Sequence, residues 1–390
     1  MQLSDRVCAI TAGGSDGWEV FLRARQMIAT GVDVLELTIG EHDIGTEPAI
    51  LGAMDASARG GNTGYAVVPG QRSLREAVAK RFQARTGFPT TWENVIITPG
   101  AQAGLFAAHT AALDPGDAAL YCDPYYTTYP GVIRGAGAQA RAVKTHSEHG
   151  FQPQRGDLEA APKGAKSLLI NSPNNPTGVV YSRQTMETIA SFAIQNDLWL
   201  ITDEVYDTQV WEGEHISPRT LPGMAARTLV VGSMSKSHAM TGSRIGWIIA
   251  EKEVISRLTD LAVVTNYGVP GFIQDAALFA LGQGAPLENR VADTFRRRRV
   301  LALETLKGKN AVRLVPASGA MYLMLDIRAT GLSGIEFANR LLESEKIAVM
   351  PGESFGKAAA GHLRVAMTVN DACFVRALRA ISDFAADLTA

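Results

Sequence analysis

The chain has 390 residues, of which 37 are Lys or Arg and 39 are Asp or Glu, so its formal net charge is −2. A chain of this length exceeds the size at which one hydrophobic core stops growing, and we therefore expect two domains. The near balance of charge excludes the strongly basic surface typical of proteins that bind nucleic acid or anionic membranes, and it favours a small-molecule ligand.

The start of the sequence, MQLSDRVCAI, places Asp5 and Arg6 where a signal peptide would need an apolar run. No segment approaches the ~20 apolar residues that a membrane-spanning helix needs. The three cysteines, Cys8, Cys122 and Cys373, are isolated and suggest neither a disulfide framework nor a metal site. These features predict a cytoplasmic protein in a reducing compartment.

An amphipathic helix is predicted from Ser15 to about Gly31, followed by a strand at 33–37. Between residues 48 and 250, helical segments alternate with short apolar strands. This alternation predicts an α/β fold with a mostly parallel sheet. The predicted strands of this region are 95–98, 118–122, 167–170, 198–202 and 228–232.

The pattern changes beyond about residue 285, where a long charged helix carries the run RRRR at 296–299. We interpret this run as a solvated helix face, because acidic residues elsewhere in the chain offset its charge. A strand follows at 320–327, and a final helix starts at Asn370. The predicted division is an N-terminal arm that forms part of a small domain at 1–45, a large domain at 46–285 and a small C-terminal α+β domain at 286–390.

Three predicted strands run directly into polar clusters. NSPNNPTG follows 167–170, DEVY follows 198–202, and SMSKSHAMTGSR follows 228–232. Because ligands of open α/β sheets bind at the carboxyl ends of the strands, these clusters mark the predicted site.

Two glycine-rich segments and the histidines favour no other site. GAGAQA at 135–140 fits the spacing of a dinucleotide-binding loop, but it precedes a predicted strand at 140–145 instead of opening a helix. GESFGK at 352–357 lacks the spacing of a phosphate-binding P-loop, and the seven histidines show no metal-binding spacing. A dehydrogenase and a metal enzyme are therefore disfavoured.

The motifs NNPTG, TDEVY and SxSKxxxxxGxR, in this order, resemble those of the class I and II aminotransferases. The resemblance extends nearly from end to end and includes LTIGE near residue 40, GYAVVPGQRSLREAVA from 64, TPGAQAGLF from 98, DPYYTTYP from 123 and HLRVAMT from 362. It implies an enzyme of fold type I that depends on pyridoxal 5′-phosphate (PLP), with the PLP-binding domain at 46–285.

PLP chemistry requires a lysine amine, an acid facing the pyridine nitrogen, donors to the phenolic oxygen and a phosphate site. The resemblance assigns Lys236 as the lysine that holds the cofactor and Asp203 as the acid that keeps the pyridine nitrogen protonated. It assigns Asn175 and Tyr206 as donors to the phenolic oxygen, and Tyr126 as an aromatic ring stacked on the cofactor. Lys236, Asp203 and Tyr206 are the predicted catalytic residues.

The resemblance also assigns a phosphate site that combines the start of a helix with three side chains. Backbone amides at a helix N-terminus favour an anion. The residues implied here are Gly100, Ala101, Gln102, Ser233, Ser235 and Arg244. Tyr65 is implied to reach the phosphate of a neighbouring subunit, which implies a homodimer with shared active sites.

Arg364 is implied to bind the substrate α-carboxylate, because a guanidinium offers bidentate geometry. Gly40 and Asn175 are the expected further contacts to substrate. Trp18 is a candidate for the side-chain pocket, because an indole face can stack on a basic group. Further candidates for that pocket are Glu41, Asp43 and, from a partner subunit, Tyr267.

The implied reaction moves the α-amino group of an amino acid to a 2-oxo acid such as pyruvate in a ping-pong scheme. Segments at 213–225, 235–242, 267–277 and 330–343 are similar to arginine–pyruvate transaminases, which favours arginine or another basic or neutral donor. Ala101 stands where some aspartate-type members have a lysine, which disfavours an acidic donor. An aspartate-type enzyme with 2-oxoglutarate and a carbon–sulfur β-lyase remain alternatives.

Overall fold

The computed structural model describes residues 1–11 and 18–389. The helix predicted from Ser15 is present from Trp18 to Ala29, whereas Ser15 itself lies outside the described residues. This helix buries Val20 and Ala24, which share one face because they are four residues apart.

The helices and strands follow one another as the alternating pattern predicted over most of the chain. The helices are α1 (Asp5–Cys8), α2 (Trp18–Ala29), α3 (Pro48–Arg59), α4 (Arg72–Thr86), α5 (Gly100–Ala112), α6 (Tyr129–Gly135), α7 (Arg155–Glu159), α8 (Arg183–Gln195), α9 (Met234–Ser237), α10 (Lys252–Thr265), α11 (Gly271–Gly282), α12 (Ala285–Thr305), α13 (Gly334–Glu345) and α14 (Asp371–Asp387). The strands are β1 (Leu35–Glu36), β2 (Val95–Thr98), β3 (Ala118–Asp123), β4 (Gln139–Lys144), β5 (Ala165–Asn171), β6 (Trp199–Asp203), β7 (Thr228–Ser233), β8 (Gly246–Ile249), β9 (Arg313–Leu314), β10 (Tyr322–Asp326), β11 (Ile347–Ala348), β12 (Met350–Pro351) and β13 (His362–Ala366).

The central sheet has seven strands in the order β2-β8-β7-β6-β5-β3-β4. Strands β7, β6, β5, β3 and β4 run parallel, whereas β8 is antiparallel to both of its neighbours, β2 and β7. The predicted α/β fold with a mostly parallel sheet is confirmed. Its middle strands are almost entirely buried, as expected when helices cover both faces of a sheet.

The glycine-rich segment at 135–140 occupies the connection between α6 and β4. It therefore ends a helix and leads into a strand, which is the reverse of a dinucleotide-binding loop. Part of the predicted strand at 33–37 is present as β1, which is short because only two of its residues pair with β11.

A second, antiparallel sheet has the order β12-β13-β10-β9. Helices α13 and α14 pack in a hydrophobic cluster with this sheet, and Val20 and Ala24 of α2 belong to the same cluster. Phe337 and Phe374 are fully buried there. Helix α2 therefore packs with elements from the C-terminal part of the chain.

The interpretation of residues 296–299 as a solvated helix face is wrong for Arg298. Its side chain is 3% exposed and forms ion pairs with Asp43 at 2.6 Å and with Asp371 at 3.0 Å. Helix α12 turns this residue inward, where the two carboxylates compensate for the desolvation of the guanidinium. Arg298 thus ties the segment before α3 to the start of α14.

Within the described ranges, no helix is long and apolar enough to cross a membrane. The same ranges contain no group of three or more His, Cys, Asp or Glu side chains arranged to hold a metal ion.

Asn370 caps α14, since its side chain accepts a hydrogen bond from the backbone N–H of Cys373 at 2.9 Å. Asn370→Ala should lower the free energy of unfolding by about 1 kcal/mol, and Asn370→Gly by only a few tenths. Urea unfolding at one fixed protein concentration measures both values. A loss as large for glycine as for alanine would show that the cap contributes nothing specific.

Candidate active site

The carboxyl ends of β5, β6 and β7 meet the start of α5 at one edge of the central sheet. A cavity of about 340 Å³ opens there. The predicted site residues that line it are Trp18, Gly40, Glu41, Ala101, Gln102, Tyr126, Asn175, Asp203, Tyr206, Ser233, Ser235, Lys236, Arg244 and Arg364. Parallel strands bring these distant segments together because their ends share one edge of the sheet.

Lys236 lies in the short helix α9, directly after β7. Ser233 begins this helix by accepting a hydrogen bond from the backbone N–H of Ser235 at 3.0 Å. The Lys236 amine donates a hydrogen bond to the carbonyl oxygen of Gly40. The amine therefore faces the cavity, next to the loop that follows β1.

His42 contacts the backbone of Lys236. Its Nε2 lies 3.0 Å from the Lys236 carbonyl oxygen, so Nε2 carries the proton and donates. Burial and the nearby Lys236 charge lower the pKa of His42 to about 4. The ring is therefore neutral at pH 7 and acts as a fixed hydrogen-bond donor.

Asp203 ends β6 and is 5% exposed. Its carboxylate accepts hydrogen bonds from the hydroxyl of Tyr129 at 2.8 Å and from the backbone N–H of Val205 at 3.2 Å. Burial raises the pKa of Asp203 to about 6, although the Tyr129 bond acts in the opposite direction. A buried acid with no ion pair among the described residues is suited to a cationic N–H group of a ligand.

Arg364 is 4% exposed and lies between two aromatic rings. Its guanidinium carbon is 4.5 Å from the ring centre of Tyr322 and 4.3 Å from that of Phe355. It donates hydrogen bonds to Asn175 Oδ1 at 3.0 Å and to the carbonyl oxygen of Thr38.

The charge of Arg364 is not neutralised within the described part of the chain. No carboxylate there pairs with it, and its Nε has no hydrogen-bond partner. Burial lowers the pKa of Arg364, but a guanidinium stays protonated at neutral pH. The arrangement is suited to a carboxylate, which a planar guanidinium binds through two parallel hydrogen bonds.

Tyr206 contributes a hydroxyl to the same wall of the cavity. It lies 3.2 Å from the hydroxyl of Tyr322. Burial raises the pKa of Tyr206 well above its usual value, so the hydroxyl stays protonated and able to donate. Tyr126 and Asn175 line the cavity with it.

The start of α5 forms an anion-binding corner. Gly100 has a φ of +78°, and a Cβ atom there would lie 2.3 Å from Arg244 Nη2, so only glycine allows this approach. The hydroxyls of Ser233 and Ser235 are 2.9 Å apart. A helix N-terminus, a guanidinium and two hydroxyls together suit a phosphate group. Gly100 does not itself line the cavity, but it supports Arg244.

Besides Gly100, three predicted residues lie outside the cavity lining. Tyr65 and Tyr267 are 93% and 53% exposed, with ring centres 5.2 Å apart. Asp43 points to Arg298 and does not line the cavity.

Sequence reasoning missed Tyr322, Phe355 and Tyr129 as site residues. Tyr322 lies in a correctly predicted strand, where its one hydroxyl among apolar neighbours was the available signal. Phe355 had no such signal, because its contact with Arg364 forms only on folding.

The cavity fits PLP on four grounds. It offers a lysine amine, a buried carboxylate without a cation, an anion-binding corner and aromatic surface from Tyr126. A phosphorylated pyridine aldehyde needs each of these groups.

The comparisons with known proteins agree with this geometry. The family described as aminotransferase class I and II matches residues 32–381. The arginine–pyruvate transaminase of Pseudomonas aeruginosa is 39% identical over 390 residues, which is 100% of this chain and 99% of the relative. An aspartate/prephenate aminotransferase of Thermus thermophilus is 36% identical over 364 residues, covering 91% of this chain and 92% of the relative.

Solved structures give the same result. An aspartate aminotransferase of Thermus thermophilus with maleate has a TM-score of 0.91 at 35% identity, covering 98% of this chain and 100% of that one. An aspartate aminotransferase of Thermotoga maritima has a TM-score of 0.91 at 33% identity, covering 98% and 99%. The chain therefore belongs to the class I and II aminotransferases, and it is a PLP-dependent enzyme that transfers amino groups between an amino acid and a 2-oxo acid.

Proposed function

We propose that this aminotransferase uses arginine as its preferred amino donor and pyruvate as acceptor, at the cavity around Lys236. The observation that carries the site is Arg364, a buried guanidinium without a carboxylate partner among the described residues. Every α-amino acid and every 2-oxo acid supplies that carboxylate. Gly40 and Asn175, which line the cavity together with Arg364, are the proposed further contacts to substrate.

PLP, when bound, supplies the electron sink that stabilises negative charge at the substrate Cα. In our proposal Lys236 holds the cofactor until an amino acid displaces it, and its freed Nζ would then move the proton from the substrate Cα to the cofactor carbon, first as general base and then as general acid. Asp203 holds a proton on the pyridine nitrogen. Asn175 and Tyr206 donate to the phenolic oxygen, and Tyr126 stacks on the ring.

The anion-binding corner is the proposed phosphate site. Its members are the amides of Gly100, Ala101 and Gln102 and the side chains of Ser233, Ser235 and Arg244. We propose that Tyr65 of a second copy completes this site in a homodimer. The strong exposure of Tyr65 and Tyr267 supports this, because large exposed aromatic rings are typical of interfaces.

The donor proposal rests on the cavity wall and on the relatives. Ala101 lines the cavity, and the cations of the described lining, Lys236, Arg244 and Arg364, all have proposed roles. No cation of this lining is therefore left for a distal carboxylate, which disfavours aspartate with 2-oxoglutarate. The relative from Pseudomonas aeruginosa is named for arginine and pyruvate, and Trp18 lines the cavity as a surface for a guanidinium.

We also infer a cytoplasmic location and the domain division at 1–45, 46–285 and 286–390. The three cysteines are free, which fits a reducing compartment. The packing of α2 with the C-terminal elements supports assigning residues 1–45 partly to the small domain.

Lys236→Ala should lower the rate of amino transfer by at least about 10²-fold, because it removes the proposed acid–base group. Single-turnover conversion of bound PLP to pyridoxamine phosphate measures this rate. Lys252→Ala, which removes an exposed lysine at the start of α10, is the control and should leave the rate unchanged. A wild-type rate in the Lys236 variant would refute the assignment.

Asp203→Asn should change the pH dependence of stability in the cofactor-free protein. Burial raises the pKa of Asp203 to about 6, against about 3.9 in an unfolded chain. The folded protein therefore binds more protons, and its free energy of unfolding falls as the pH rises from about 4 to about 6. The Asn variant lacks this titration.

Wild type should therefore lose stability relative to Asp203→Asn across that window, by up to about 3 kcal/mol at about 1.4 kcal/mol per pKa unit. Only the difference between the two proteins reports on Asp203, because burial also raises the pKa of Asp123 to about 6. A stability difference that stays constant from pH 4 to 7 would show that burial does not raise the pKa of Asp203.

Trp18→Ala should lower kcat/KM for arginine by roughly 2–30-fold, the equivalent of a lost cation–π contact, and change alanine little. Arg364→Leu should instead lower kcat/KM for both donors, since both carry the α-carboxylate. Steady-state rates with pyruvate measure these values. A wild-type preference for aspartate or glutamate over arginine by an order of magnitude would overturn the donor proposal.

A further inference from the structure

Two carboxylates line the cavity within the described part of the chain, Glu41 and Asp203. Asp203 is buried and engaged by Tyr129 and Val205. Glu41 is exposed, and its hydrogen bond from the Thr241 hydroxyl is long, at 3.3 Å. No ion pair involves Glu41 among the described residues. It is a free negative charge at the mouth of the cavity.

Asp43 offers the same chemical group two residues later, but it is already engaged. Both of its oxygens accept hydrogen bonds from Arg298, at 2.9 and 2.6 Å. Although partial burial acts to raise the pKa of Asp43, the hydrogen bonds and charge of Arg298 lower it overall. Of the two acids, Glu41 alone is available to a ligand.

The backbone next to Glu41 is held by His42, which donates to the backbone carbonyl of Lys236. This hydrogen bond does not involve the Lys236 amine, so it remains when that amine holds the cofactor, whereas the contact of the amine with the Gly40 carbonyl does not. The loop also packs closely on Tyr322, since a Cβ atom at Gly40 would lie 1.7 Å from the Tyr322 hydroxyl. A charge held in place in this way binds with a smaller loss of conformational entropy.

We propose that Glu41 is the specificity-determining residue for donors with a cationic side chain. The inference rests on the proposed function, which sets the α-carboxylate at Arg364 and the Cα at Lys236. The long side chain then extends toward the cavity mouth, where Trp18, Glu41 and Thr241 all line the wall. Glu41 binds the terminal guanidinium through charge-assisted hydrogen bonds, and Trp18 contributes its ring face.

Glu41→Gln tests this with three donors, arginine, citrulline and alanine, and with pyruvate as acceptor. Citrulline has the length and shape of arginine but no charge. The variant should lower kcat/KM for arginine by about 3–30-fold, in the range of charge-assisted bonds at partly exposed sites. Values for citrulline and alanine should change by less than about twofold. The loss for arginine should shrink at high salt, because exposed charges are screened.

Glu47→Gln is the matched control. It makes the same change of net charge on the same loop, but Glu47 lies outside the cavity lining and near Arg290, at 3.7 Å. Its kcat/KM for arginine should stay at the wild-type value.

The outcomes separate this inference from the proposal on which it rests. If wild type shows no preference for arginine over citrulline, the arginine proposal fails, and this inference fails with it. If wild type prefers arginine and Glu41→Gln keeps that preference, only the role of Glu41 is refuted. An equal loss for arginine and citrulline would likewise refute it, because it would show a structural effect and no recognition of charge.

Discussion

Arg364 and Asp203 are buried charged groups that form no ion pair with any described residue. Burial of an unpaired charge costs several kcal/mol, so the surrounding structure must hold both groups in place. Tyr322 and Phe355 enclose the guanidinium, and Tyr129 donates to the carboxylate. The cavity is therefore preorganised for ligand groups of opposite charge. Such a group stabilises a charge that folding has already removed from water.

The loop between β1 and α3 contacts both Lys236 and Arg298. Gly40 and His42 bind Lys236, and Arg298 fixes Asp43 to α12 and α14. One side of the loop thus meets the reactive amine, while the other is anchored to the elements that pack with α2. Glu41 lines the cavity, whereas the nearby His42 and Asp43 are engaged by Lys236 and Arg298. Position along the loop decides which acid is structural and which is free.

The strand ends and the residues that follow them could be predicted from the sequence, because parallel β-strands place their polar clusters at one edge. Asp203 and Lys236 meet in the cavity for that reason. Strand β8 was not predicted, although it lies in a short apolar run at 245–250; its antiparallel pairing with β2 and β7 depends on distant segments. The Arg298 ion pairs and the rings around Arg364 depend equally on contacts between distant segments. No local pattern distinguishes Asp43 from Glu41 until Arg298 is placed.

The cavity around Lys236 is the proposed PLP site, and peptide mapping tests this most directly. Borohydride reduction of the PLP-bound enzyme fixes the cofactor to the amine that holds it, and mass spectrometry of tryptic peptides then locates the label. The expected result is a phosphopyridoxyl group on Lys236, in the peptide spanning residues 228–244 with cleavage after Lys236 blocked. A label on any other lysine, with Lys236 unmodified, would contradict it.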